Sequence, residues 1–275
     1  MTSTELHPLI SVNGAYDAQA PLADDIALGI EVGAGLLGVP IYKIDRLGAA
    51  ESVALLGRCP LGVSTVCHPD LATLDDPGRW PDQLAAARRT VRIAAELGAG
   101  SVYLTTGGRG RLGWRAAADR FVELAAELRG YADTLGMPVL LEATAPAYAE
   151  LSIIHTLADQ VGVCTRSGLA VCLDTFASWS DSSFETLLPD AAGRCAMVQL
   201  ADHALGERSV RDRAVPGDGV IDFDAVFAAL RAARFTGPFD IELMGRLLDD
   251  EGRAAGFGRA VAWTAEQLRR HGFTS

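Results

Sequence analysis

PVLLEAT, residues 138–144, is a short apolar run with one carboxylate, Glu142, near its C-terminal end. A continuous apolar stretch of this length suits a strand buried on both faces, as in a parallel sheet covered by helices. Three similar runs follow: LAVCLDT (169–175), CAMVQLAD (195–202) and FDIELM (239–244). Each carries an acid or amide near the same end: Asp174, Gln199 and Glu242. Working back towards the N-terminus, SVYLTT (101–106), LGVSTVC (61–67), GLLGVPIY (35–42) and LISVNG (9–14) read in the same way.

The intervening stretches have helical spacing. In WPDQLAAARRTVRIAAELGAG (80–100), Leu84, Ala87, Val91, Ala94 and Ala95 form one stripe and Gly98 supplies a stop. WRAAADRFVELAAELRGYADTLG (114–136) ends at Gly136, before Pro138. Asp222 suits the N-cap of FDAVFAALRAARF (223–235), which Gly237-Pro238 closes, and a last helix is expected over roughly 252–271. Eight strands alternating with helices predict an α/β protein with a single (β/α)8 TIM-barrel domain over residues 1–275. The rival is an open doubly wound sheet. Against it, the first strand-to-helix turn, SVNGAYDAQAP (11–21), lacks the GxGxxG fingerprint, and no linker or composition break marks a second domain.

Composition narrows the function classes. The 275 residues are 49% hydrophobic, ample for a large core, and the formal charge is -11. An acidic chain is a poor fit to nucleic acid or an anionic membrane surface. Cys59, Cys67, Cys164, Cys172 and Cys195 show no CxxC pair, and their odd number favours a reducing compartment. The opening MTSTELHPLI lacks a basic segment followed by a long apolar one, and no run approaches the ~18 residues of a membrane span. A cytoplasmic protein with a small-molecule substrate is the expectation.

In a parallel barrel the strand ends converge on one face, which hosts catalysis. Glu142, Asp174, Gln199 and Glu242 brought together there would form an all-oxygen cage for a divalent cation. Taken singly, a buried carboxylate caps a helix or pairs with Arg; four in register at consecutive strand ends point to a metal. His68 and His203, each just past a strand, are candidate substrate contacts, with loop or packing roles as the alternative. Asp202 is expected either to pair with Arg213 or to touch substrate. Phe176, Trp179 and Trp114 are expected in loops over the same face, where aromatics stack on a ring or shape an apolar pocket. The glycine-rich 105–111 segment, TTGGRGR, offers backbone amides for an anion but lacks Walker spacing. No GxSxG nucleophile motif is present.

In strand–helix order the whole chain resembles the xylose isomerase-like barrels of sugar phosphate isomerase/epimerase type. The resemblance is most specific over LLEAT, CLDTF, VQLAD, RAVPGDGVID and DIELM. It implies that Glu142, Asp174, Gln199 and Glu242 bind Mg²⁺ or Mn²⁺, with Glu142 and Glu242 also serving as the acid/base pair. It implies further that Arg213 lies over the metal and binds substrate oxygens. Many relatives have His where Gln199 stands; an amide there resembles the 3-dehydroshikimate dehydratase branch and hardens the site towards Mg²⁺ or Mn²⁺ over Zn²⁺. Many relatives also carry a His at the position of Ala177, so one expected proton donor is missing. The implied substrate is a sugar, sugar phosphate or cyclic keto acid. Isomerase/epimerase chemistry leads, a dehydratase (lyase) is the alternative, and a metabolite-binding barrel without turnover or a metal-dependent endonuclease stands behind both. Homo-oligomers are common among the relatives.

Overall fold

A computed structural model describes residues 6–273 of the chain; the extreme N-terminal residues read above for a targeting segment lie outside it. Eight parallel strands close into a barrel in sequence order. They are β1 (His7–Asn13), β2 (Ala34–Pro40), β3 (Gly62–Asp70), β4 (Val102–Thr105), β5 (Val139–Glu142), β6 (Ala170–Asp174), β7 (Cys195–Leu200) and β8 (Phe239–Ile241). Closure comes from β8 pairing with β1, with Val12 opposite Ile241. This excludes the open doubly wound sheet. Among the described residues no helix is long and apolar enough to cross a membrane.

Side chains alternate along each strand, and that period of two separates the two cores. Leu104, Leu141, Leu173, Val198 and Ile241 join the large cluster between barrel and helices. Their neighbours Tyr103, Leu140, Cys172 and Met197 form a separate cluster that fills the barrel lumen. Continuing the inward parity along β5, β6, β7 and β8 places Glu142, Asp174, Gln199 and Glu242 directly above that plug.

The helices form where the apolar stripes predict them, at Trp80–Glu96, Trp114–Asp133, Phe223–Ala232 and Arg253–Arg270. Asp222 caps its helix as expected, accepting from the Ala225 N–H at 3.1 Å. A short helix, Ile41–Leu47, begins inside the run read as the second strand, because Pro40 ends the ladder and supplies the φ of a helix start. Gly107, just past β4, holds a positive φ of 89°, and a Cβ there would drive into the Ala72 carbonyl oxygen. Only glycine permits this crossing of two loops at the barrel mouth.

Candidate active site

Glu142 closes β5, Asp174 closes β6, and Glu242 stands one residue beyond β8, its N–H still pairing with the Leu200 carbonyl at 3.1 Å. One oxygen from each of these buried carboxylates lies within 4.8 Å of the others. Arg213 enters between them: Nη1 donates to Glu242 Oε2 at 2.8 Å and Nη2 lies 3.4 Å from Asp174 Oδ2. Its guanidinium also sits 4.9 Å from the centre of the Phe176 ring, a cation–π contact within a buried site. Asp174 is shared. Its Oδ1 caps the turn Thr175–Ser178 by accepting from the Phe176 and Ala177 N–H groups, so the structural role of a strand-end acid coexists with the cage.

Burial, then the charges of Glu242 and Asp174, push the Glu142 carboxyl well above the usual range. Burial raises Glu242 to about 7, against the pull of Arg213. Asp174 is also raised by burial, with Arg213 and the capping N–H groups opposing. Burial alone would lower the Arg213 pKa, but Glu242, Asp174 and Glu142 reverse that and raise it. The Glu142 carboxylate makes no hydrogen bond or ion pair among the described residues, although it lines the cavity.

Gln199 pairs in register with Asp174 on the neighbouring strand. Its Oε1 accepts from the Cys172 thiol at 3.2 Å, while its Nε2 is buried without a partner. A half-turn of the amide would leave the oxygen unpartnered and the nitrogen beside the cysteine sulfur. Three converging carboxylates, one of them with no protein partner, form an oxygen-rich donor set, and beside them Gln199 carries a buried amide with one unmet polar atom. That set fits a hard divalent cation.

The cavity above this set measures about 370 Å³. Thr105, Thr144, Tyr42, Tyr148 and Arg211 join the acids in lining it, as do Phe176 and Ala177. Periodicity cannot flag residues such as Tyr148 and Arg211, which come from loops. Beneath the cage lies a polar layer that also escaped the sequence reading. Asp240 Oδ2 accepts from Asn13 Nδ2 at 2.7 Å, and the same nitrogen reaches the Tyr103 hydroxyl at 3.2 Å. Burial raises Asp240 to about 6. The signal was available, since Asp240 precedes Glu242 by two residues and so shares its inward face.

Several other candidates lie elsewhere. His68 is buried with Nδ1 2.8 Å from Thr90 Oγ1, on the helix Trp80–Glu96 outside the barrel. His203 stacks on Trp179 at 5.1 Å. Neither lines the cavity. Trp114 donates to the Ile153 carbonyl at 2.8 Å. Asp202 neither pairs with Arg213 nor faces the cavity. It accepts from the backbone N–H groups of Gly217, Gly219 and Ile221, organising the PGDG turn. In the glycine-rich loop two of the backbone donors are already taken, the Gly107 N–H by the Leu151 carbonyl and the Arg111 N–H by Asp75.

The His68 environment gives a pH prediction. Burial lowers its pKa to about 4. The unfolded chain therefore takes up this proton first as pH falls, and stability drops between about pH 6.5 and 4, by about 3 kcal/mol in full. His68→Gln keeps a partner for Thr90 and should flatten that part of the stability–pH curve in urea titrations. An unchanged slope would refute the assignment.

A family model described as xylose isomerase-like TIM barrel matches residues 29–267. No curated protein matches the chain. Among solved structures, a Sinorhizobium meliloti 1021 protein superposes with a TM-score of 0.82 at 23% identity, covering 95% of this chain and 98% of its own. The IOLI protein with a bound zinc atom gives 0.83 at 17% identity, over 95% and 98%. An L-ribulose 3-epimerase gives 0.78 at 18% identity, over 95% of each chain. At these identities the likeness is one of fold, while the model match spans most of the sequence. The chain belongs to the xylose isomerase-like TIM barrel family.

Proposed function

We propose that the protein is a divalent-metal-dependent isomerase or epimerase that moves a proton at the carbon beside a carbonyl. The observation that carries this reading is the convergence of Glu142, Asp174 and Glu242 at the floor of a ligand-sized cavity. Those three carboxylates, with the amide oxygen of Gln199, would hold Mg²⁺ or Mn²⁺. A cation there would supply Lewis-acid stabilisation of negative charge developing on the substrate oxygens.

The chain's own residues handle the proton. Glu142 and Glu242 are the acid/base pair, as proton transfer needs a carboxylate within hydrogen-bonding reach of the carbon acid. The Arg213 contact favours the ionised form of Glu242, which suits it to accept the proton. Glu142, with no partner of its own, is placed to return one. The buried Arg213 Nε has no partner, leaving a donor for a substrate oxygen. Ala177 lines the cavity at the position where the family resemblance implies a His, so the two glutamates must serve without that third proton carrier.

The Gln199 amide favours a second reading, a dehydratase that begins with the same proton removal and then expels a β-hydroxyl. Incubation of the Mn²⁺-loaded chain with candidate hydroxy-carbonyl compounds in D₂O separates the cases. The isomerase reading expects deuterium at the carbon next to the carbonyl in recovered substrate and product. The dehydratase reading expects loss of water and a conjugated product instead. Binding with neither outcome would overturn both and leave a metabolite-binding barrel.

A further inference from the structure

The cavity is asymmetric in a way that speaks to substrate class. Its floor holds three carboxylates against one buried guanidinium, so without a cation an anionic group is repelled there. Its walls are largely apolar, with Ala15, Ala18, Ala145, Leu151, Val210 and Met244 facing the space. Thr105, Thr144, Tyr42 and Tyr148 also line the space, but a polyol spanning the apolar stretch would leave hydroxyls there without partners, each costing on the order of tenfold in affinity. The mouth carries one cation free of carboxylates. Arg211 lines both this cavity and the adjoining surface groove, and among the described residues its guanidinium makes no ion pair.

The other arginines of that rim are committed. Arg246 bonds Glu207 at 3.1 Å and Asp250 at 3.2 Å, and its backbone N–H takes Asp212 at 2.6 Å. Arg253 holds Asp17 at 2.8 Å. The one acid adjacent to Arg211 in sequence, Asp212, is thereby occupied. Tyr148, on the loop after β5, lines the same cavity as Arg211 and Arg213.

We propose that the substrate is an anionic keto or hydroxy-keto compound with an apolar waist, chelating at the floor and presenting a carboxylate or phosphate to Arg211 at the mouth. This rests on the metal-dependent reading above for the chelating end alone. Arg211 acts as the specificity-determining residue, and the apolar wall turns away neutral polyols.

The test compares dissociation constants for matched probes on the full chain, with and without Mn²⁺. The probes are α-ketoadipate and α-ketoglutarate, their monocarboxylate counterparts α-ketocaproate and α-ketovalerate, and D-fructose. The expected result is a preference of about tenfold or more for each dicarboxylate over its monocarboxylate, shrinking as salt is raised. Arg211→Met should bring that ratio to about one, and Arg211→Lys should retain part of it. D-Fructose should bind more weakly than α-ketocaproate.

A ratio near one in the native chain, a ratio surviving in Arg211→Met, tighter D-fructose binding or no binding by any keto acid would overturn the proposal. The two readings fail separately. If Mn²⁺ changes none of the affinities while the Arg211-dependent ratio persists, the metal reading falls and the anionic substrate class stands.

Discussion

Glu142→Gln and Glu242→Gln should both abolish stoichiometric Mn²⁺ binding, weakening it at least about a hundredfold, yet move the stability of the metal-free chain in opposite directions. The common effect follows from the loss of a charged ligand in a site with few to spare. The opposite effects follow from the neighbours. The Glu142 carboxylate is buried among like charges with no hydrogen bond or ion pair of its own, and its pKa is raised. A neutral amide reproduces the protonated form that the fold favours, so Glu142→Gln should stabilise the metal-free chain by about 1–2 kcal/mol near neutral pH. Glu242 holds the buried Arg213 at 2.8 Å. Removing its charge leaves that guanidinium with the longer ion pair to Asp174 and a 3.4 Å contact to the backbone carbonyl of residue 242, at a cost of about 1–3 kcal/mol. Calorimetry with Mn²⁺ reads the first effect and thermal unfolding in chelator reads the second. Native-like Mn²⁺ binding in either variant would remove the cage, and shifts of the same sign would remove the asymmetry between the two glutamates.

The barrel was legible because strands covered on both faces write themselves as short apolar runs, and a carboxylate inside such a run stands out. Glu142 and Asp174 are conspicuous for that reason, and the inward parity that carries them also carries Leu140 and Cys172 into the lumen. The same parity would have turned His68 outward, since Cys67 packs against the lumen plug and its neighbour must face the helices. Asp202 was harder to read. Its partners are backbone N–H groups 15, 17 and 19 residues further on, recruited by a turn whose shape no local pattern encodes. The cavity wall was likewise hidden, because Ala145, Tyr148, Val210 and Arg211 come from loops without periodicity. Gln199 illustrates a finer limit. Its place beside Asp174 follows from strand register, but the thiol of Cys172 at its oxygen is a contact between neighbouring strands that neither residue announces alone.

Arg213→Met should destabilise the metal-free chain by about 3–5 kcal/mol, because it leaves Asp174, Glu242 and Glu142 facing one another without a buried counter-charge. The methionine retains apolar contact with Phe176 but none of the donors, so lost packing contributes little to the effect. At this chain length such a loss lowers the melting temperature by roughly 10 °C. The informative part is its coupling to metal. In the native chain a cation and the guanidinium bear on the same carboxylates, so each lessens what the other contributes. In Arg213→Met no guanidinium is paired with these carboxylates, and Mn²⁺ should raise the melting temperature by clearly more than it does in the native chain. Thermal unfolding of both chains with and without Mn²⁺ closes a cycle whose non-additive remainder measures that coupling. Equal increments would mean that Arg213 supports the loop it stands on and is energetically separate from the cage. A larger increment in the variant would make Arg213 the built-in counter-ion that keeps three buried acids folded until a metal arrives.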